Sequence, residues 1–343
     1  MSIRAEAWVL VKSGEPLVRK VIELPDPGPG EAIVEVEACG LCHTDLGYAQ
    51  GGVAPNHALP LVLGHEIVGK VNGRKVLVPA VMACGDCLFC REGRGNACPR
   101  QKMPGNDIDG GFATHVRVPS AALVPLDGVP ASMRTDAFGV VADAVSTAYQ
   151  AVKRAELDVG DVAFVVGAGG VGGFCAQICR ALGARVIVCD VDGKRLEQLA
   201  SLGIETVNVA NREPKDVRKQ LHAKAKEWGV PSIAWRIFEC SGASAGQLLA
   251  YTLLDRAATV VFVGYTRDTV NVRLSNLMAF DATAHGSWGC PRDRYPEVLE
   301  HVYRGKVVLE PFVERAPMSR INQHLQALAA HKLERRLVLD PLA

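Results

Sequence analysis

Four cysteines within fifteen residues, Cys84, Cys87, Cys90 and Cys98, constrain this chain more than any other feature. The spacing C-x2-C-x2-C-x7-C lets four thiolates converge on one tetrahedral Zn²⁺ inside a single loop. With every position filled by protein, no place remains for water or substrate, so such a metal is structural. A catalytic metal must be sought elsewhere. Disulfides are the alternative, but a chain of 343 residues buries enough surface to need no staples. Nothing in the sequence points to an oxidising compartment. Eleven cysteines, an odd number, fit a reducing cytosol. Cys175, Cys179, Cys189 and Cys240 lie in apolar stretches and read as packing.

The length allows two domains, each with its own core. A net charge of +1 argues against a nucleic-acid surface, which needs a basic excess. The N-terminal stretch lacks the apolar run of a signal peptide, so a cytoplasmic location is expected. Val162 to Cys179 is uncharged for 18 residues, the lower limit for a membrane span. Its five glycines would each cost a helix about 1 kcal/mol. A strand, a turn and a helix explain it better, and no membrane segment is expected.

Residues 1–150 show short β-rich runs broken by Pro and Gly: Ala5–Val11, Ala32–Cys39, Ile67–Val71 and Lys75–Val78. Residues 151–287 alternate short apolar runs with helical periodicity. Strands are expected at Ala163–Val166, Arg185–Cys189, Thr206–Val209, Trp235–Glu239 and Thr259–Val263. Helices are expected at Gly172–Leu182, Lys194–Leu202, Lys215–Trp228 and Ala245–Leu254. That alternation implies a doubly wound parallel sheet. Residues 288–343, with helices near Arg294–Tyr303 and Ser319–His331, are expected to return to the first domain.

Gly167-Ala168-Gly169-Gly170-Val171-Gly172 fits the pattern G-x-G-x-x-G, follows a strand and opens a helix. Asp190 ends the next strand 23 residues after Gly167. The glycines let the backbone approach a pyrophosphate, and the helix N-terminus supplies N–H donors. Asp190 accepts from the adenosine ribose hydroxyls and repels a 2′-phosphate, which favours NAD over NADP. Lys194 and Arg195 pull the other way, and Arg195 is a further candidate contact to the cofactor.

Taken in order, Gly40-x-Cys42-His43-Thr44-Asp45, Gly64-His65-Glu66-x-x-Gly69, the cysteine lobe, Gly110-Gly111-Phe112-Ala113 and the glycine fingerprint span nearly the whole chain. Together they resemble the zinc-dependent medium-chain alcohol dehydrogenase family. The resemblance implies an α/β two-domain fold: an irregular β-rich, GroES-like catalytic domain plus a doubly wound Rossmann domain. It implies two zinc ions per chain and NAD. The catalytic zinc would be held by Cys42, His65 and a third ligand just before the cofactor domain. Many relatives have cysteine there, and this chain has Asp143. Carboxylate, imidazole and thiolate all bind Zn²⁺ and leave a fourth position open. Glu66 resembles the family's occasional extra ligand, and Asp45 the carboxylate that orients the ligand histidine. Thr44 stands where the relay hydroxyl accepts the substrate proton, and His43 near the cofactor phosphates or ribose. Where many relatives have a second relay histidine, this chain has Gly47. The proton route must then end at the ribose, at His43 or in water.

The stretch Trp288–Pro296 resembles a subgroup, the 6-hydroxycyclohex-1-ene-1-carbonyl-CoA dehydrogenases of anaerobic benzoyl-CoA breakdown. That resemblance implies oxidation of a ring alcohol beside an enoyl thioester. Coenzyme A phosphates then call for basic groups, with Arg292, Arg294 and Lys306 as candidates. Two other functions compete: oxidation of a simple secondary or polyol alcohol, and a silent zinc and nucleotide binder. Relatives are commonly homodimers or homotetramers built through the cofactor domain, and Thr259–Val263, taken as a sheet edge, and Thr269–Leu274 suit that role.

Overall fold

The computed structural model describes residues 2–343. The fold is the expected two-domain α/β arrangement. One unit comprises Met1–Ser146, Gly289–Tyr303 and Leu309–Ala343; the other comprises Thr147–Trp288 and Arg304–Val308.

In the second unit six strands form one parallel sheet, in the order Glu205–Asn208, Arg185–Asp190, Val162–Val166, Trp235–Glu239, Thr259–Phe262, Thr283–Gly286. Val162–Val166 lies inside, and all five of its residues are buried. That explains its unbroken run of apolar, mostly β-branched residues. Helices Gly170–Ala181, Gly193–Ala200, Pro214–Glu227 and Ser244–Thr252 connect the strands. Pro214 starts its helix where a missing N–H costs nothing. Asp192 caps the next-to-first helix, accepting from the Lys194 and Arg195 N–H groups. The uncharged stretch from Val162 is thus a strand, a turn and a helix. Among the described residues no helix is long and apolar enough to cross a membrane.

One expectation needs correcting. Thr259–Phe262 is not a sheet edge, because Thr283–Gly286 pairs outside it. The edge strand, Thr-Ala-His-Gly, is mostly exposed and carries no apolar alternation, so its sequence reads as loop.

In the first unit the seven-stranded sheet runs Val313–Pro317, Arg336–Asp340, Glu31–Gly40, Glu66–Val71, Arg74–Val78 and Val124–Pro125, with His115–Pro119 also paired to Glu31–Gly40. A smaller sheet joins Val18–Leu24, Ile3–Leu10 and Leu61–Val62. Their inward faces share one core, including Leu10, Leu61, Leu63, Ile67, Phe112 and Leu339. The strand Glu31–Gly40 and the strand beginning at Glu66 lie side by side, with Gly40 opposite Glu66. This pairing brings the two ligand-bearing turns, at Cys42 and His65, to one end of the sheet.

Candidate functional site

Cys42 precedes the helix His43–Ala49 as its N-cap, immediately beyond the end of Glu31–Gly40. His65 sits between Leu61–Val62 and Glu66–Val71. The turn before it depends on Gly64, whose φ of +97° suits glycine alone; an added Cβ would come within 2.7 Å of Phe112 and 2.8 Å of the Cys39 sulfur. Asp143 follows the 3-10 stretch Thr135–Ala142 and opens the helix Ala144–Arg154. One ligand atom from each of Cys42, His65 and Asp143 lies within 4.8 Å of the others. Three residues spread over a hundred positions therefore converge.

Asp45 organises the cluster. It is fully buried. Its Oδ1 accepts from His65 Nδ1 at 3.1 Å and from the Gly64 N–H at 3.1 Å, and its Oδ2 accepts from the Cys42 N–H at 3.0 Å. A carboxylate only accepts, so Nδ1 carries a proton and Nε2 is the atom left to take a metal or a second proton. Nε2 is buried, lacks a hydrogen-bond partner, and lies 3.7 Å from Asp143 Oδ2. Two ligands each about 2.0–2.1 Å from a tetrahedral zinc stand about 3.3–3.4 Å apart, so a small closure brings both onto one ion. Electrostatics agrees with that fit. Burial alone would lower the His65 pKa, yet Asp45, with Asp143 and Cys42, raises it well above its ordinary value. The pocket stabilises positive charge at Nε2, which is what a divalent cation brings. Asp45→Asn is expected to lower zinc affinity or turnover about 10–100-fold, measured by metal analysis alongside rate.

Glu66 requires a correction. It is not one of the converging ligands, because its carboxylate faces Arg336, with Nε at 2.8 Å from Oε2 and Nη2 at 2.6 Å from Oε1. Oε1 also accepts from the Ala144 N–H at 3.2 Å. To turn to a metal, the carboxylate would have to leave the largely enclosed Arg336 guanidinium unpaired. Burial alone would lower the Arg336 pKa, but Glu66 raises it and keeps the group charged. The sequence offered no signal for Arg336, which lies in the charged run Glu334-Arg335-Arg336 and reads as surface. Tyr295 was also missed: it is buried, donates to the Ala142 carbonyl at 2.6 Å, and sits 3.1 Å from the Ser146 hydroxyl. It thereby grips the chain on both sides of Asp143. Thr44 lies beside Cys42, with the thiol 3.6 Å from Oγ1. The His43 ring stacks on His331 at 6.1 Å. Gly47 faces open space.

The four-cysteine lobe is a separate centre. Sulfur separations are 3.8 Å for Cys84–Cys90, 3.4 Å for Cys87–Cys90, 3.6 Å for Cys87–Cys98 and 3.4 Å for Cys98–Cys84. Tetrahedral zinc with bonds of about 2.3 Å spaces its sulfurs about 3.8 Å apart. A disulfide would need about 2.05 Å, and all eleven cysteines are free. The Cys90 backbone N–H, the largest influence, draws the Cys87 thiol down to about 6, while Asp86 pushes Cys84 up to about 12 and burial raises Cys90. Without a metal the four thiols share little negative charge, which a zinc ion would reverse.

In the second unit the glycine turn leads into the helix Gly170–Ala181. Gly172 must lack a side chain, since a Cβ there would strike the Gly167 carbonyl. Asp190 holds the turn: Oδ2 accepts from the Ala168 N–H and Oδ1 from the Asp192 N–H at 2.8 Å. Arg195 reaches back over Gly169, with Nη1 3.6 Å from where a Cβ would be, and pairs with Asp192 at 3.3 Å. Gly167, Gly169, Gly170, Val171, Gly172, Asp190 and Arg195 thus share one corner of the sheet.

The three basic candidates are scattered in role. Arg292 spends Nε and Nη2 on the Leu123 carbonyl, Arg294 is half-buried with Nη1 lacking a hydrogen-bond partner, and Lys306 is exposed.

Known proteins share this organisation. Residues 28–131 match the family described as alcohol dehydrogenase GroES-like domain, and residues 170–304 match zinc-binding dehydrogenase. The L-galactonate-5-dehydrogenase of Escherichia coli (strain K12) is 31% identical over 307 residues, covering 86% of this chain and 86% of that protein. An alcohol dehydrogenase of Geobacillus stearothermophilus is 28% identical over 334 residues, covering 93% and 94%. Among solved structures, the alcohol dehydrogenase from the hyperthermophilic archaeon Aeropyrum pernix gives a TM-score of 0.86 at 28% identity, covering 98% of this chain and 100% of that one.

Proposed function

Because the chain belongs to the zinc-dependent medium-chain alcohol dehydrogenase family, an NAD-linked oxidoreductase acting on alcohols, we propose that it oxidises a cyclic secondary alcohol carried as a coenzyme A thioester. The product is the conjugated ketone, 6-oxocyclohex-1-ene-1-carbonyl-CoA. The observation that carries alcohol oxidation is the convergence of Cys42, His65 and Asp143 around an unpartnered, buried Nε2. The thioester rests on the likeness of Trp288–Pro296 to that subgroup.

Cys42, His65 and Asp143 would hold the catalytic zinc, and Cys84, Cys87, Cys90 and Cys98 the structural one. When bound, the catalytic zinc supplies a Lewis acid that lowers the pKa of a hydroxyl beside it. Asp45 fixes the His65 tautomer, so the ring presents its lone pair. Bound NAD would supply the hydride acceptor. Thr44 Oγ1, beside Cys42, would accept the alcohol proton and hand on its own. With Gly47 in the helix, that proton would pass to the cofactor ribose, His43 or water. Asp190 favours NAD over NADP by repelling a 2′-phosphate. Self-association is part of the proposal: the edge strand Thr283–Gly286 is open, and Leu274 and Met278 stand 69% and 78% exposed on the same unit.

Steady-state assays with zinc-loaded protein test this reading. NADH should form from the ring-hydroxylated enoyl-CoA ester, with NADP a poor substitute and ethanol, benzyl alcohol and sorbitol ignored. Equal turnover of the free acid and its CoA ester would remove the thioester. Preference for a polyol would favour a simple alcohol dehydrogenase. One zinc per chain and no NADH from any alcohol would leave a silent binder.

A further inference from the structure

Strand order in the parallel sheet turns back between Val162–Val166 and Trp235–Glu239. In an open sheet of this kind a dinucleotide lies across the carboxyl ends of the strands at that point. Three such ends stand in a row. Asp190 closes the strand on one side, Gly167 follows the middle strand, and Glu239 closes the strand on the other side. With the adenosine ribose at Asp190 and the pyrophosphate over the glycine turn, the nicotinamide half falls on the Glu239 side.

Glu239 is an unusual residue to find there. It is fully buried. Oε1 accepts from the Ser241 N–H at 2.8 Å, the Ser241 hydroxyl at 2.5 Å and the Gly242 N–H at 3.2 Å. Oε2 is buried with no hydrogen-bond partner. Burial pushes its carboxyl pKa up, against the pull of these donors. A buried carboxylate costs free energy unless donors surround it, and here every donor to Oε1 comes from one short turn. That turn leans on the glycine fingerprint: a Cβ at Gly167 would lie 2.7 Å from the Ser241 N and Cα. Behind it, a Cβ at Gly264 would lie 2.7 Å from Glu239 Oε2. The chain therefore keeps space on both sides so that one acidic side chain can hold Ser241 and Gly242 in place.

We propose that Glu239 is the positioning residue for the nicotinamide half of the cofactor, its carboxylate drawing the Ser241–Gly242 turn against Gly167 so that this wall is formed before NAD arrives. The proposal rests on the reading that the corner binds NAD. It assigns Glu239 an effect on cofactor affinity through the turn, without contact to the reacting atoms.

The test compares zinc-loaded wild type with Glu239→Gln in titrations with NADH, followed by nicotinamide fluorescence, and with AMP, which fills only the adenosine side. Loss of a preorganised wall should raise the NADH Kd about tenfold or more while the AMP Kd stays within about twofold. Unchanged NADH affinity overturns the proposal, and so does an equal loss for NADH and AMP, which marks general damage to the unit. If Glu239→Gln does not fold, Ser241→Ala removes a single donor. It should weaken NADH about threefold and leave AMP alone, and no change overturns the proposal. Failure of wild type to bind NADH removes the underlying reading instead.

Discussion

Asp143→Ala should reduce the chain from two zinc ions to one and lower turnover by about a thousandfold or more. The substitution leaves two donors, Cys42 and His65, where the cluster has three. It also removes one of the two negative charges that neutralise the ion. A zinc Lewis acid contributes several kcal/mol to stabilising charge on oxygen, and each 1.4 kcal/mol is about a factor of ten in rate. The Asp143 side chain is only 19% exposed but belongs to no apolar core cluster, so melting should fall by no more than a few degrees. Asp143→Cys, which restores a ligand of the same charge, should retain both ions and measurable activity. Metal analysis and NADH formation read both variants. Two zincs and near-normal turnover in Asp143→Ala would dismiss Asp143 as the third ligand.

Cys87→Ser should remove the other ion and act through folding. The lobe has almost no core: its regular elements are the four-residue helix Leu88–Arg91 and the turn Gly95–Ala97, and Leu88 and Phe89 are 60% and 46% exposed. With so little apolar burial, the metal supplies most of what holds the loop. Structural zinc contributes on the order of 10 kcal/mol in small zinc-binding peptides. That figure bounds the effect from above here, because a backbone bridge between Met82 and Lys102 already ties the two ends of the lobe together. A melting temperature lower by about ten degrees or more is expected, with activity lost as the protein melts. A chelator should reproduce the change. If Cys87→Ser and Asp143→Ala both lost activity while melting natively with two zincs, the division of labour between the two centres would be wrong.

Whether a feature could be read from sequence followed how local its determinants are. Cys84, Cys87, Cys90 and Cys98 declare their purpose by spacing alone, and Gly167 to Gly172 by their place between a strand and a helix. The inner parallel strands were legible because burial on both faces demands continuous apolar runs, as in Val162–Val166. Asp143 has no motif of its own, and only the order of the surrounding motifs pointed to it. The fate of Glu66 was invisible, since its partner Arg336 lies 270 positions away in a stretch that reads as solvated. The edge strand Thr283–Gly286 was hidden for the opposite reason: it buries too little to impose a pattern. Glu239 was read as the end of a strand, and nothing in Phe-Glu-Cys-Ser-Gly announces that its carboxylate turns back onto its own loop.

The strand Arg336–Asp340 pairs with Glu31–Gly40 and delivers Arg336 to Glu66. Everything between these partners, including the whole dinucleotide unit, must leave the ribosome before they can meet. Nascent chains fold largely from their amino end as they emerge, yet here the early-made half waits for a late-made arginine to neutralise its buried acid. The dinucleotide unit can therefore assemble during translation, whereas the Glu66 carboxylate beside His65 gains its counter-charge only after it.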